Sequence, residues 1–394
     1  MRRIWILSLF ALLIGCKSRT DTGNTFTYDL DFLNKHTSII VLKSGNSRVL
    51  IAPEWQARVM TSTSDPGSGI SYGWINYSLI ESQELLPHIN PFGGEERLWL
   101  GPEGGQYSLF FGEGDSFEYE NWQTPAILDT EAFNTDTISD NQAEFSREGY
   151  LVNYSGYKFN FIIKRRIRIL NDNELASITG SDSELLSMVA YRSENILENT
   201  GKEKWEKETG LISVWMLGMF NPSPSTTVII PYIEGPVDEL GPVVNDNYFG
   251  SVPADRLKYS NGTILFKADG RERGKIGLGP LRTKGIMGSY DIKNETLTLL
   301  ICELPEGIID YVNSAWELQE EPYSGDAYNS YNDGPLDDGS IMGPFYELET
   351  SSPALALDAG ESYSHIQTTI HISGPPAELD KISRRMLGIN LADI

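Results

Sequence analysis

The sequence has only two cysteines, Cys16 and Cys302, among its 394 residues. Such a low count excludes a disulfide framework and any zinc site built from cysteine ligands. Cys302 lies in the apolar run TLTLLICEL. It is therefore expected to pack as a small hydrophobic residue.

Basic residues are also scarce, since 31 Lys and Arg residues face 55 Asp and Glu residues and give a formal net charge of −24. This charge would repel nucleic-acid phosphates, so nucleic acid is excluded as a partner, whereas neutral substrates are not disfavoured. The sequence lacks a P-loop, an HExxH motif and a dinucleotide fingerprint, and we predict neither a metal site nor a cofactor. GISYG, at residues 69–73, matches G-x-S-x-G without the strand and helix that a nucleophile elbow needs.

The N-terminus, MRRIWILSLFALLIGC, joins two arginines to an apolar run too short for a confident membrane span. The small residues before Cys16 resemble the lipobox of bacterial lipoproteins. We predict a signal peptide over 1–16 with Cys16 lipidated, a tether over 17–28, and one domain over 29–394. An ordinary signal peptide with an incidental cysteine is the alternative. The lipobox predicts anchoring in the lipid bilayer of a Gram-negative cell envelope, at the outer membrane, with the membrane side left open.

A two-residue period dominates the rest of the chain, as in YKFNFIIKRRIRIL and ESYSHIQTTIHISG. SIIVLKSGNSRVLIAP reads as two strands joined by the turn at residues 44–47. The clearest helix pattern is PPAELDKISRRMLG near the C-terminus, with prolines at its start and Gly388 after its end. We predict an all-β fold, a large antiparallel sandwich with few short helices.

The first polar motif is NPFGGEERLWLGPEGGQ, at residues 90–106. If ERLWLG is extended, Glu95, Arg97 and Trp99 share one face of the strand. Arginine and glutamate can bind sugar hydroxyls, and tryptophan can stack on a pyranose ring. The alternative is an Arg–Glu ion pair beside a tryptophan that fills the core.

The second polar motif contains FYELET and SHIQTTIHI. Glu347 and Glu349 share a face of an extended strand and lie about 7 Å apart. Two carboxylates at such a short distance repel each other, which raises the pKa of one of them. His365 and His371 share a polar face that is either solvated or lines a concave site. They would lie roughly 20 Å apart along the strand, so at most one can be catalytic.

The third polar motif is SYNDGPLDDGS, at residues 330–340, which precedes the Glu347 strand. Asp333, Asp337 and Asp338 could bind Ca²⁺ together with carbonyl oxygens, but EF-hand spacing is missing. We expect a solvated turn that also serves as a rim loop of the same site.

These motifs, in this order, resemble the galactose mutarotase-like superfamily, nearest to a group of secreted bacterial lipoproteins. The resemblance lies in TSTSDPGSGISYGWIN, HINPFGGEERLWLGPEGGQ, ENTGKEKWEKETGLISVWMLGMFNPS and GPFYELETSSPALALDAGES, which span most of residues 38–374. It implies a β-supersandwich with a sugar site on its concave face.

The resemblance also implies residue roles. Glu349 is the nearest match to the family's catalytic base, with Glu347 in reserve, and Arg97 resembles its substrate-binding arginine. The family's catalytic histidine is missing, because the corresponding region reads SVWMLGMF. His88 and His365 are the candidate replacements. The expected sugar contacts are Glu95, Arg97, Trp99, Glu103, Gln106 and Asp333.

The reaction implied is that of an aldose 1-epimerase, in which a base and an acid open and reclose the sugar ring without a cofactor. The missing central histidine favours a second hypothesis, a non-catalytic carbohydrate-binding lipoprotein. A third is a glycan lyase or hydrolase that reuses the glutamate pair.

Overall fold

The computed structural model describes residues 25–67, 69–336 and 339–394, so Cys16 and its lipobox lie outside the described residues. The first element is helix α1, Phe26–His36, whose N-cap Thr25 accepts a hydrogen bond from the backbone N–H of Tyr28. Residues 26–28, the last of the predicted tether, thus belong to helix α1.

Three antiparallel sheets form the body of the molecule. The three-stranded sheet has the order β1 (Ile40–Ser44), β2 (Ser47–Ala52), β3 (Arg58–Thr63). The ten-stranded sheet has the order β11 (Leu257–Ser260), β12 (Thr263–Lys267), β10 (Thr226–Pro231), β14 (Ile286–Asp291), β15 (Thr296–Ile301), β18 (Ser362–Ser373), β8 (Ser187–Asn199), β7 (Lys158–Ile169), β6 (Gln142–Val152), β5 (Asn134–Ile138). The five-stranded sheet has the order β13 (Gly274–Leu278), β16 (Tyr328–Asn332), β17 (Tyr346–Ser351), β9 (Ser213–Phe220), β4 (Arg97–Gly101).

The remaining α-helices are short and lie between or beside the sheets. They are α2 (Tyr77–Ser82), α3 (Ala126–Asp129), α4 (Asp172–Thr179), α5 (Val237–Leu240) and α6 (Pro376–Met386). Within the described ranges, no helix is both long and apolar enough to span a bilayer.

The predicted fold class is confirmed, since large antiparallel sheets dominate and the helices are few and short. The β1–β2 hairpin turns where SGNS predicted it, with Ser44 opposite Ser47. Helix α6 begins at the predicted proline pair and buries Leu379 and Ile382 against the ten-stranded sheet.

The space between the five-stranded and ten-stranded sheets is apolar but contains a seam of buried polar groups. Strand β7 alternates as predicted, with Phe159, Phe161 and Ile163 fully buried. Arg165 continues the same buried face, and its Nη2 pairs with Glu96 Oε1 at 2.5 Å. A buried charge is stable only when paired, so this ion pair ties the chain entering β4 to the ten-stranded sheet.

We expect Arg165→Met to lower the free energy of unfolding by about 3–5 kcal/mol, because it leaves the Glu96 carboxylate buried without its cation. Urea unfolding of the two proteins measures the difference. Arg166→Met is the matched control, since Arg166 is the next residue of the same strand but its side chain is 47% exposed. Losing its surface ion pairs should cost about 1 kcal/mol or less. Equal losses in both variants would contradict the assigned role of the buried pair.

Candidate functional site

Strand register gathers the polar motifs on one face of the five-stranded sheet. Directly opposed residues of antiparallel strands share a face. Trp99 lies opposite Trp215, while Arg97 and Glu349 both lie opposite Leu217. Thr350, the next residue of β17, points instead toward the ten-stranded sheet, where it contacts His365. We call the face that bears Arg97, Trp99, Trp215, Glu347 and Glu349 the outer face.

Both glutamates of β17 are held by cations on the outer face. Arg97 Nη2 lies 3.1 Å from Glu347 Oε1, and Lys275 Nζ lies 3.0 Å from Glu349 Oε2. The indole N–H of Trp215 also donates to Glu349 Oε2, at 2.9 Å. Both side chains are buried, so these contacts fix their positions.

Burial and neighbouring charges shift the pKa values of these groups. Burial raises the pKa of Glu347 to about 8; Arg97 opposes this shift and the neighbouring Glu349 adds to it. Burial acts to lower the pKa of Lys275, but the charges of Glu349, Glu103 and Glu347 outweigh it and raise that pKa. At neutral pH the face therefore holds a protonated carboxyl group at Glu347 beside a charged ammonium group at Lys275.

Four polar atoms of the outer face are buried and have no hydrogen-bond partner among the described residues. They are Arg97 Nε, Arg97 Nη1, Trp99 Nε1 and Glu349 Oε1. Buried polar groups in folded proteins almost always find a partner. Three free donors and one free acceptor on one face therefore form an incomplete hydrogen-bond set that a polar ligand could complete.

Several side chains next to the buried residues of the outer face are only partly buried. Glu103 lies there beside the side chain of Trp316, with which it forms a hydrogen bond. On the same side Tyr248 donates to Asp326 Oδ2 at 2.5 Å, and Lys275 Nζ lies 5.4 Å from the centre of the Tyr248 ring. We call Glu103, Trp316, Tyr248 and Asp326 the mouth of the site.

Trp99 does not offer a free ring face. The Arg97 guanidinium lies 4.2 Å over its ring, and Trp215 packs edge-on at 5.5 Å. Trp99 is only 3% exposed, so the expectation that it stacks on a sugar was wrong. Its ring supports Arg97, and Trp316 and Tyr248 are the partly exposed aromatic residues beside the site.

Glu95 lies away from the outer face. Strand β4 begins at Arg97, after Gly93 and Gly94 with φ values of 96° and 111°, so the chain is not extended before the strand. Glu95 Oε2 lies 3.1 Å from His371 Nε2 and accepts from the Ser62 hydroxyl at 2.9 Å, inside the seam between the sheets. The predicted common face of Glu95 and Arg97 was therefore wrong.

His365 is buried on the opposite side of the five-stranded sheet from Glu349. Its Nε2 lies 2.8 Å from Thr350 Oγ1. Because the Thr350 hydroxyl donates to Gln367, the His365 ring must donate from Nε2. Burial lowers the His365 pKa to about 4. The proposal that His365 is the acid partner of Glu349 was therefore wrong.

Two further predicted residues hold loops in place. His88 Nδ1 lies 2.7 Å from the carbonyl oxygen of Trp122 and 2.8 Å from the Gln123 amide, and no described contact joins it to the glutamate pair. The Gln106 amide donates to the Gln319 carbonyl and accepts from the Gln319 N–H, both at 3.0 Å. His88 is thus not brought to the glutamates as an acid, and Gln106 ties two loops together.

Asp333 is 2% exposed, so the expected solvated turn was wrong for this residue. Its carboxylate accepts from the Tyr331 hydroxyl at 2.7 Å and the Gly343 N–H at 2.9 Å, and its charge acts on Glu347. Asp337 and Asp338 lie outside the described residues. Among the described residues, no group of three or more His, Cys, Asp or Glu side chains could hold a metal ion.

Four residues of the site were not found from the sequence: Lys275, Trp215, Trp316 and Tyr248. Lys275 lies in GKIGL, a short strand with two glycines and a weak alternation. Trp215 lies in SVWMLGMF, which reads only as a buried strand. Their partner Glu349 is 74 and 134 positions away, so only the sheet order could bring them together.

A surface cavity of about 760 Å³ lies elsewhere, at the ends of β6, β7 and β8, beside Tyr150, Lys158 and Trp205. None of the unpartnered buried polar atoms found in the described ranges belongs to its lining. The outer face, where such atoms do occur, is therefore the better candidate site.

The chain belongs to a family of unknown function, DUF6786, which it matches over residues 24–394. No curated protein sequence matches it.

Solved structures with a similar chain path include proteins of the mutarotase type. A candidate aldose 1-epimerase from Escherichia coli K12 is 13% identical, with 86% of this chain and 99% of that chain covered and a TM-score of 0.47. A protein from Synechocystis is 12% identical, with 86% and 96% covered and a TM-score of 0.48. A galactose mutarotase-like protein from Lactobacillus casei is 11% identical, with 85% and 100% covered and a TM-score of 0.47. Because all three scores are below 0.5, function must be argued from the site.

The depressed pKa of His365 predicts a pH dependence of stability. As the pH falls, the unfolded chain binds a proton near pH 6.5 and the folded chain only near pH 4. Stability should therefore fall across this window, by up to about 3 kcal/mol. His365→Gln should remove this loss of stability at low pH. The amide of the new glutamine can still donate to Thr350. Urea unfolding between pH 7 and pH 4 measures both proteins, and identical pH profiles would contradict the assignment.

Proposed function

We propose that the protein binds a carbohydrate at the outer face of its five-stranded sheet and acts on it by acid–base chemistry. The observation that carries this proposal is the unpartnered set of three buried donors and one buried acceptor on Arg97, Trp99 and Glu349. Sugar hydroxyl groups both donate and accept hydrogen bonds, so one polyhydroxylated ligand could satisfy all four atoms. The resemblance of the polar motifs to mutarotase-like proteins supports the same ligand class.

The two glutamates have the different environments that such chemistry needs. Glu349 accepts from Trp215 and Lys275 through Oε2, and its Oε1 is free to take a proton. Glu347 has its pKa raised to about 8 and holds a proton at neutral pH. Two carboxyl groups whose environments differ in this way are suited to act as base and acid.

The reaction we propose is exchange of the two anomers of an aldose. Glu349 takes the proton of the anomeric hydroxyl while Glu347 gives its proton to the ring oxygen, and the bond between the anomeric carbon and the ring oxygen breaks. Rotation of the open-chain aldehyde and the reverse proton transfers form the other anomer. Arg97 and Lys275 stabilise the negative charge that moves between the carboxyl groups and the sugar oxygens.

A non-catalytic carbohydrate-binding protein is the second candidate. The specific observation that favours it is that both glutamates are already held by cations, Glu347 by Arg97 and Glu349 by Lys275. This candidate predicts sugar binding without any interconversion of anomers. A glycan lyase or hydrolase would instead release products of lower mass from an oligosaccharide.

Glu349→Gln tests the assignment of the base. We expect anomer interconversion, followed by polarimetry on freshly dissolved aldoses, to slow by about 10²–10⁴-fold, because an amide cannot take the proton. Sugar-dependent thermal shift should persist, since the amide keeps its size, can still accept from Trp215 and Lys275 through its oxygen, and can donate from its NH2 group to a sugar hydroxyl. Full activity in the variant would overturn the role of Glu349. Binding without activity in the wild-type protein would favour the second candidate.

The raised pKa of Glu347 predicts an alkaline limit of the same activity. An acid must carry its proton, so the rate should be full below pH 8 and fall above it as Glu347 ionises. Arg97 lowers this pKa, so Arg97→Gln should move the limit to higher pH. A pH–rate profile of kcat for both proteins measures the shift. A limit that stays in place would show that another group supplies the proton.

A further inference from the structure

Arg97 is the buried arginine of the described residues with the fewest hydrogen-bond partners. It is 2% exposed, and only its Nη2 is bonded, to Glu347 Oε1 at 3.1 Å. Its Nε and Nη1 are buried and have no partner in the described ranges. The other buried arginines each use at least two side-chain nitrogens, and they are Arg58, Arg165, Arg256 and Arg282. Because buried donors almost always find a partner, the two free nitrogens of Arg97 point to a ligand.

The Arg97 guanidinium also lacks an ionised partner at neutral pH. An arginine side chain always carries its positive charge. Glu347 is the one carboxyl group that contacts Arg97 among the described residues, and with a pKa of about 8 it holds its proton at neutral pH. A buried charge without a counterion is costly, so an anion at Arg97 would recover free energy that a neutral hydroxyl group would not.

Other charged groups do not supply this counterion. Glu349 is 3.0 Å from Lys275 and is matched by it. Glu103 and Asp333 act on the site from farther away, and neither pairs with the guanidinium in the part of the chain that the structure describes. Burial raises the pKa of both and so favours their neutral forms. The formal net charge of −24 acts at long range, where salt screens it.

The position of Arg97 selects where on a sugar the anion would lie. In the proposed reaction Glu349 acts at the anomeric hydroxyl and Glu347 at the ring oxygen. Arg97 contacts Glu347, so it lies beside the ring oxygen. In a hexuronic acid the carboxylate is attached to the ring carbon that is bonded to the ring oxygen, on the side away from the anomeric carbon. A hexuronic acid in this orientation therefore brings its carboxylate to the guanidinium.

We propose that the sugar bound at the outer face is a hexuronic acid, and that its carboxylate pairs with the guanidinium of Arg97. This inference rests on the proposed function, that the outer face binds a carbohydrate. Hydrogen bonds between a guanidinium and a carboxylate are charge-assisted and strong. A carboxylate brings one negative charge to the one unmatched cation, whereas a sugar phosphate would bring about 1.5–2. The sugar hydroxyls then bind Trp99 Nε1 and Glu349 Oε1, the other free atoms of the face.

Binding of this anion should move the alkaline limit of the reaction. The charge of Arg97 lowers the pKa of Glu347, while Glu349 and Asp333 raise it and Lys275 lowers it. A carboxylate beside Arg97 offsets the effect of the guanidinium. The alkaline limit of kcat should therefore lie at higher pH for a hexuronic acid than for its parent aldose. A merely structural role of Arg97 would leave the two limits equal.

The test compares matched sugars on the full protein. The probes are glucuronic and galacturonic acids, each with its neutral uronamide, its parent aldose and the 6-phosphate of that aldose. Titration calorimetry near pH 7 gives the affinities, and polarimetry gives the rates of anomer interconversion. We expect at least one uronic acid to bind about tenfold tighter than its uronamide and its parent aldose.

Arg97→Gln should reduce that preference to about twofold or less, because an amide carries no charge to pair with the carboxylate. Arg97→Lys keeps the charge but loses the planar fork, so it should keep part of the preference. Arg192→Gln is the matched control, since it removes the same charge at an exposed residue of β8, and it should keep the full preference.

Three results would overturn the inference and leave carbohydrate binding standing. They are equal binding of a uronic acid and its uronamide, tighter binding of the 6-phosphate than of the uronic acid, and a preference unchanged in Arg97→Gln. If the wild-type protein binds none of these sugars, the proposed function itself fails.

Discussion

Two adjacent buried carboxylates determine where the outer face can form. Glu96 pairs with Arg165 and Glu95 with His371, both inside the seam between the sheets. A buried charge separated from its partner is strongly destabilising, so these contacts allow one placement of the chain entering β4. Once that entry is set, the two-residue period of the strand carries Arg97 to the other side of the sheet. The position of the candidate site thus depends on two buried contacts that lie behind it, the Glu96–Arg165 ion pair and the Glu95–His371 hydrogen bond.

The interior seam and the outer face differ in how completely their buried glutamates are hydrogen-bonded. In the seam, Glu96 accepts from Arg165, Ser193 and Gln367, and both of its oxygens are used. On the outer face, Glu349 uses one oxygen and leaves the other free. A closed network stabilises the fold, whereas an open one can take a ligand. We therefore propose the outer face, rather than the seam, as the ligand site, although the seam holds more of the histidines.

Much of the fold was predictable because it follows from local periodicity and turn chemistry. The β1–β2 hairpin, the alternation of β7 and helix α6 all appear where the pattern indicated. The common face of Glu347 and Glu349 follows from the same period. Lys275 could not be found this way, because it reaches Glu349 only through the order β13-β16-β17. His365 was misassigned because alternation identifies a polar face without telling whether it meets solvent, a ligand site or a buried polar seam.

Strand β17 also explains why no histidine can serve the glutamate pair from β18. Its odd-numbered residues, Glu347 and Glu349, lie on the outer face, while Thr350 meets His365 on the inner face. A proton from His365 would have to cross the sheet, so the acid of the proposed reaction must come from the outer face itself. Lys275 has its pKa raised by the surrounding carboxylates and holds its proton too strongly. Glu347, buried beside Arg97 with a pKa of about 8, is protonated at neutral pH and still able to release the proton. For the proposed reaction, a carboxyl group is therefore the group best suited to the role of acid.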